Sequence, residues 1–329
     1  MTPVLKDSQH RRINYLRLSV TDRCNLRCSY CMPSEGLPIF QRAELLTRDE
    51  ILTLARLAVG LGIRKIRVTG GEPLLRPDIV DLLTTLGQLP QLERLVLSTN
   101  GMRLGKLAPA VKAAGVSGAN ISIDSLDPDR YRDITRGGDL KRCLAGIDAA
   151  LYAGLRTKLN VVVMAGVNDH EALDFLELAR TRPVAVRFIE YMPTRGRDHD
   201  HRLTVPTADL LDRLRRATTL TPIERPGGLT LAGPARNFRL PDGQGTVGVI
   251  SPVSCSFCED CNRIRITANG LARGCLFHDT GLDLKPWLRA GDENGLTEAL
   301  RRVVADKPVR HTLDEDTGPD QVPMSRLGG

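Results

Sequence analysis

An α/β fold is predicted, with a run of parallel strands leading into a hairpin-rich C-terminal region. Three observations predict it. Short apolar, β-branched runs alternate six times with stretches of helical period. The alternation breaks at about Thr221–Asn237 into Pro/Gly-rich text, Arg225-Pro-Gly-Gly228 and Ala232-Gly-Pro234. Beyond that break, short turn signals separate the remaining apolar runs.

The elements follow in order. Strands are predicted at Tyr15–Val20, Lys65–Thr69, Arg94–Thr99, Ala119–Asp124, Lys158–Met164 and Val184–Tyr191. Helices are predicted near Arg48–Leu61, Asp78–Leu86, Lys106–Ala114, Leu140–Ala153 and Glu171–Arg180. Such βα alternation builds a parallel sheet or a partial barrel. Right-handed crossovers let successive strands curl into an open cylinder, whose chemistry sits on loops beyond the carboxyl ends of the strands. After the linker, hairpins are expected at Asp242–Gly245 and at Asn269-Gly270, the second a strong two-residue turn signal. The chain is therefore divided into residues 1–218, the partial barrel, and 219–329, the C-terminal region. Residues from Asp314 to Gly329 read as poorly packed.

Composition narrows the class. A length of 329 residues with 41% hydrophobic content suits one large α/β domain of roughly 200 residues plus a smaller one. No apolar run has membrane-spanning length and Met1–Arg12 is polar and charged, so the expected location is cytoplasmic. Eight cysteines then read as reduced thiols or metal ligands. The net charge of +7 is spread along the chain without a basic block, so an anionic small molecule explains it as well as nucleic acid does.

Cys24-Asn-Leu-Arg-Cys28-Ser-Tyr-Cys31 packs three thiols into eight residues, directly after the first predicted strand. A tetrahedral ion or a cubane cluster takes four ligands, so three leave one position open. A closed structural zinc site is the plainer alternative, and it would want a fourth protein ligand. C-x3-C-x-aromatic-C, with Tyr30 as the aromatic, resembles the signature of the radical S-adenosylmethionine (SAM) superfamily. The resemblance implies an incomplete (β/α)6 TIM-like barrel and a 4Fe–4S cluster on Cys24, Cys28 and Cys31, with SAM on its fourth iron. Val68-Thr-Gly-Gly-Glu-Pro73 follows the second predicted strand. Paired glycines admit close backbone approach, and Glu72 offers an acceptor to an ammonium group. The superfamily's Gly-Gly-Glu-Pro motif binds the SAM amino group. The resemblance places Tyr30, Gly71, Glu72, Ser122 and Met192 around SAM; otherwise a strand-end Ser or Met reads as packing.

A second group, Cys255-Ser-Phe-Cys258-Glu-Asp-Cys261, is followed after thirteen residues by Cys275. Alone it fits a four-cysteine zinc or iron–sulfur site. With Asn262-Arg-Ile-Arg265, Gly270 and Cys275-Leu-Phe277, it resembles the C-terminal signature of the GTP 3′,8-cyclases of molybdenum cofactor biosynthesis. That resemblance implies a second 4Fe–4S cluster on Cys258, Cys261 and Cys275, with the guanine base at its open iron. Cys255 departs from the pattern and is read as a spare thiol. Cys143 shares a helical face with Leu140, Leu144, Ile147 and Leu151 and reads as a small core residue.

Arg17, Arg67 and Lys158 lie inside apolar strand candidates, where charge is unexpected. Each needs an anion or an aqueous cavity, unless the strands lie at an edge and the side chains snorkel. Arg263 and Arg265 share one strand face, opposite Ile264 and Ile266. The resemblance assigns GTP to Arg17, Arg67, Ser98, Lys158, Arg263, Ile264 (through backbone) and Arg265. Ser98 stands where the family carries threonine. It also gives catalytic roles to Arg263, Arg265 and a terminal Gly328-Gly329, which otherwise would merely fray.

The implied activity converts GTP and SAM to (8S)-3′,8-cyclo-7,8-dihydroguanosine 5′-triphosphate, 5′-deoxyadenosine and methionine, the first step towards molybdopterin. It further implies a flavodoxin- or ferredoxin-like electron donor and a downstream cyclic pyranopterin monophosphate synthase, with no nucleic acid or membrane partner; whether the chain pairs as a homodimer stays open. Two rivals stand beside it: a radical SAM peptide-maturing enzyme with an auxiliary cluster, and a metal-bearing nucleic-acid-binding module.

Overall fold

Parallel strands line up in sequence order through the first part of the chain. The computed structural model describes residues 4–193, 201–224, 231, 233–278 and 280–311. The strands are β1 (Tyr15–Ser19), β2 (Lys65–Thr69), β3 (Arg94–Thr99), β4 (Gly118–Ser122), β5 (Arg156–Val163) and β6 (Ala185–Glu190). Between and after them run α1 (Arg48–Gly60), α2 (Ile79–Gly87), α3 (Leu104–Ala113), α4 (Pro128–Thr135), α5 (Leu140–Tyr152), α6 (Ala172–Thr181) and α7 (Thr207–Ala217). The remainder forms β7 (Thr221–Pro222), β8 (Arg236–Arg239), β9 (Thr246–Ile250), β10 (Arg263–Ile266), β11 (Leu271–Arg273), β12 (Leu282–Asp283), α8 (Lys285–Ala290) and α9 (Glu293–Ala305). Every expected strand and helix forms, shifted at most two residues. Helices α4, α7, α8 and α9 were not anticipated, although Asp127 caps α4 from its side chain and Pro128 opens it, a readable start signal.

The C-terminal strands do not form a separate layer. Both expected hairpins form, β8–β9 and β10–β11, but each sends one strand into the edge of the six-stranded wall. β10 pairs parallel with β1, and β9 pairs parallel with β6. The result is one 12-stranded sheet ordered β12-β11-β10-β1-β2-β3-β4-β5-β6-β9-β8-β7. Residues on both sides of position 218 thus share a single sheet. The pairing satisfies backbone groups that β1 and β6 would otherwise leave open as edges.

Alternation along each strand separates two faces. Leu16, Leu18, Ile66, Val68, Leu97, Ile121, Leu159, Val186, Phe188, Ile264 and Ile266 pack with the helices in one continuous core. The intervening residues face the other side and are largely polar: Arg17, Arg67, Asn120, Lys158, Asn160, Arg187 and Arg265. Burying eleven such apolar side chains at about 1.5–3 kcal/mol each is ample to hold the polar face in place.

Glu190, at the end of β6, ties the C-terminal region to this frame. Its Oε1 accepts from Thr207 N at 2.9 Å, at the start of α7, and from Ser254 Oγ. Its Oε2 accepts from Val253 N at 3.0 Å and Ser254 N at 2.9 Å, just ahead of the second cysteine group. Glu190→Ala leaves these buried donors unanswered, so the chain should lose roughly 3 kcal/mol of stability. Denaturant unfolding of the metal-free protein checks this.

Candidate active site: a cationic chamber between two thiol triplets

The parallel register sets the geometry. β1 runs five residues, about 16 Å at the usual rise of a strand. Cys24, Cys28 and Cys31 follow its carboxyl end. Cys258 and Cys261 precede β10, whose first residue Arg263 is level with Tyr15, the first residue of β1. β11 returns antiparallel and brings Cys275 back beside that same end. The triplets therefore stand at opposite mouths of the wall.

At the upper mouth, the paired glycines hold the first cysteine loop. Gly71 N donates to Thr21 O at 2.8 Å, and Glu72 N to Arg23 O at 2.7 Å. A Cβ on Gly71 would lie 2.3 Å from Arg23 O, and one on Gly70 2.7 Å from Thr21 O. The close backbone approach expected of this motif is thus made to the loop carrying the thiols. Glu72 is buried and accepts from Leu74 N at 3.0 Å, Thr99 Oγ1 at 2.8 Å and Asn100 N at 2.7 Å. Burial nevertheless pushes its carboxyl up to about 7. One acceptor site remains for a further donor, and a cationic one would relieve the burial.

Tyr30 donates its hydroxyl to Asp124 Oδ2 at 2.7 Å, and Asp124 Oδ1 accepts from Val162 N at 2.8 Å. Asp124, absent from the expected site, therefore orients the aromatic of the cysteine motif. Ser122 ends β4 exposed, and Met192 lies half-buried just past β6, both at this same mouth. Burial raises the Cys28 thiol well above its usual value, and Cys31, Asp124 and Cys24 add to the effect.

Between the mouths lies a row of cations. The register places Arg67, Arg17, Arg265 and Arg273 side by side on β2, β1, β10 and β11. One step lower, Lys65 and Arg263 flank Tyr15, with the Lys65 ammonium 4.2 Å from the Tyr15 ring centroid. Across the sheet stand Ser98, Asn120 and Lys158 in register, and Asn160 beside Arg187. These are interior strands, so the edge-and-snorkel explanation for Arg17, Arg67 and Lys158 fails. Ile264 points into the core and offers only backbone to the chamber.

The cations act on one another. Burial and then Arg265 and Arg67 hold the Arg17 guanidinium well below its usual value. Burial lowers Lys65 to about 6, with Arg67 and Arg187 next in effect; Lys158 falls to about 6 through burial, Arg187 and Lys65. The β2–β6 and β5–β2 couplings show that the wall curls around a shared space. Arg67 Nε, Arg187 Nε, Arg265 Nη1, Asn120 Oδ1 and Asn160 Oδ1 are buried without a hydrogen-bond partner among the described residues. Lys65, Arg187 and Tyr15 were missed from sequence. The rule that found Arg17, charge within an apolar strand, also finds Lys65 and Arg187 when applied to every strand.

At the lower mouth, Arg263 Nη2 donates to Cys261 Sγ at 3.7 Å, and Cys261 N donates to Cys258 O at 3.1 Å. The cations Arg263 and Lys307 overcome burial and pull the Cys261 thiol down to about 6. Burial lowers the Arg265 guanidinium to about 10 and Arg263 adds to it, while Cys275 and Cys261 act the other way. Cys255 is exposed, whereas Cys143 is buried in the core as expected. Gly328 and Gly329 lie outside the described residues.

Comparison with known proteins agrees with this geometry. Residues 18–179 match the Radical SAM superfamily, and residues 184–313 match Molybdenum Cofactor Synthesis C. A GTP 3′,8-cyclase of Geobacter sulfurreducens is 50% identical over 327 residues, covering 99% of both chains. One of Moorella thermoacetica is 46% identical, covering 99% of this chain and 100% of that one. The chain belongs to the GTP 3′,8-cyclase family of radical SAM enzymes. SuiB of Streptococcus suis bound to S-adenosylmethionine shares the fold, with a TM-score of 0.60 at 13% identity, covering 89% of this chain and 69% of SuiB.

Two 4Fe–4S clusters and SAM are the family's cofactors, and the thiol sets fit them. Among the described residues, no three His, Cys, Asp or Glu side chains gather tightly enough for a single ion. A cubane takes four ligands, and each triplet offers three free thiols, leaving one position for a small molecule. No helix among the described residues is long and apolar enough to cross a membrane.

Gly71→Ala should push the first cysteine loop away and abolish its cluster alone. Iron in the reconstituted protein is expected to fall to about half, with the spectrum of the second cluster retained.

Proposed function

We propose that the chamber binds GTP through its triphosphate, with Cys24, Cys28 and Cys31 holding the SAM-bearing cluster and Cys258, Cys261 and Cys275 the second. The observation that carries this reading is the buried cation row between the two triplets, where like charges lower one another's affinity for protons. A polyanion converts that repulsion into attraction. When bound, SAM and its cluster supply the one-electron chemistry that begins the 3′,8-cyclisation.

The chain's own residues bind, orient and exclude solvent. Arg17, Arg67, Lys65, Lys158 and Arg187 grip phosphate oxygens, with guanidinium forks suited to bidentate contact. Ser98, Asn120 and Asn160 offer neutral partners to the sugar. Arg265, in the same row, and Arg263, one step lower beside Cys261, hold the nucleotide against the second triplet. Tyr30, fixed by Asp124, together with Gly71, Glu72, Ser122 and Met192 positions SAM, and Glu72 receives its ammonium. Positioning of this kind is the main contribution a protein makes to such chemistry. Gly328-Gly329 completes the site. A flavodoxin- or ferredoxin-like donor supplies electrons, a cyclic pyranopterin monophosphate synthase takes the product, and the enzyme works in the cytoplasm.

The deciding experiment is anaerobic reconstitution with iron, sulfide, SAM and GTP, followed by mass analysis of the nucleotide product. Arg263→Ala combined with Arg265→Ala should lower cyclised product by roughly 100-fold or more while SAM consumption continues. Loss of both together would refute the assignment of these two residues to GTP.

Protonation gives an independent check. Lys65 and Lys158, with an ordinary value of 10.5, sit at about 6. Between those values the unfolded chain binds protons that the folded chain does not, so stability rises with pH across that window. Phosphate in the chamber returns the protons. GTP binding at pH 8 should therefore take up as many as about two protons, read by calorimetry in buffers of different ionisation enthalpy, and Lys158→Met should remove about one of them.

A further inference from the structure

The segment after α9 packs against the Cys275 arm of the second thiol triplet and reaches the Cys258 arm through Arg11. Lys307 is 3% exposed, unusual for a lysine. Its Nζ donates to Gly274 O, next to Cys275. A Cβ on Gly274 would meet Lys307 Cα at 3.1 Å and Cβ at 3.2 Å, so the two backbones pack directly. The Cys258 arm is held by Arg11, whose Nη1 donates to Cys258 O at 2.7 Å and Val309 O at 3.0 Å, and whose Nη2 donates to Pro308 O at 2.6 Å. Asp7 locks Arg11 from behind through Nε. Further along, His311 Nε2 lies 2.9 Å from Pro252 O, and its ring packs edge-on to Phe277.

A buried ammonium requires an anion or strong dipoles. Among the described residues no carboxylate forms an ion pair with Lys307, and the acceptor its ammonium meets is the Gly274 carbonyl. Hydrogen bonds and positive charge at cluster sulfurs raise a cluster's reduction potential, because reduction adds negative charge beside them.

We propose that Lys307 is a positioning and potential-setting residue of the second cluster, its buried ammonium holding the Cys275 arm through the Gly274 carbonyl while Arg11 ties the Cys258 arm to the same segment. The proposal rests on the reading of Cys258, Cys261 and Cys275 as ligands. A second cluster held this way is reduced more easily than one with three bare thiolates, and its open corner keeps a constant relation to the chamber.

The test is an anaerobic redox titration of the holoenzyme without SAM or GTP, followed by electron paramagnetic resonance. The signal that Cys258→Ser abolishes belongs to the second cluster. Lys307→Met should move that signal to a more negative potential and leave the first cluster unchanged, with Lys307→Gln intermediate and Lys307→Arg near wild type. Loss of the second cluster in Lys307→Met with retention in Lys307→Arg supports the same role. An unchanged potential in Lys307→Met, or equal loss in all three variants, overturns it. If the unmodified chain shows no signal sensitive to Cys258→Ser, the ligand assignment itself fails and takes this proposal with it.

Discussion

Repulsion among buried cations is the constraint around which this fold is arranged. Arg17, Arg67 and Arg265 lie side by side on adjacent strands, Lys65 sits one step lower on the strand of Arg67, and Lys158 and Arg187 stand further round on β5 and β6. Strand pairing forces this proximity, since in-register residues of a parallel sheet share a face and stand about 5 Å apart. Desolvation and like charge both oppose the arrangement, and the apolar core behind it must hold it closed. A protein carries such a cost where an anionic substrate returns it.

The two ends of the chamber are built differently. At the first triplet, burial raises the Cys24 and Cys28 thiols, Cys28 also through Cys31, Asp124 and Cys24, and backbone contacts through Gly71 and Glu72 set the loop. At the second, cations stand against the sulfur, and the Cys261 thiol is lowered to about 6. The first mouth thus favours a partner that brings positive charge, as a sulfonium with an ammonium does. The second is already electropositive and favours an anionic cluster next to a phosphate-bearing ligand.

Much of the site was legible in local text. The spacing of Cys24, Cys28 and Cys31, the Gly-Gly-Glu-Pro turn and the Asn269-Gly270 hairpin each depend on a few consecutive residues. Arg17, Arg67 and Lys158 stood out because a charge breaks an apolar strand pattern, and Cys143 was recognisable from helical period alone. Asp124 and Glu190 were not legible. Each is an acid at a strand end, and its role lies in hydrogen bonds to residues 94 and 64 positions away. Lys307 likewise reads as an ordinary lysine after a helix until its carbonyl partner, 33 positions distant, is known.

The sequence by itself determined the strands, the thiol triplets and the alternation that puts charge on one face, because these follow from local spacing and from the two-residue period of a strand. Only the tertiary structure decided where the triplets stand relative to each other. That depends on β10 pairing in parallel with β1, with Tyr15 level with Arg263. Such a pairing joins residues far apart in the chain through backbone hydrogen bonds, which are chemically the same for every residue and leave no mark in the side chains that a sequence spells out.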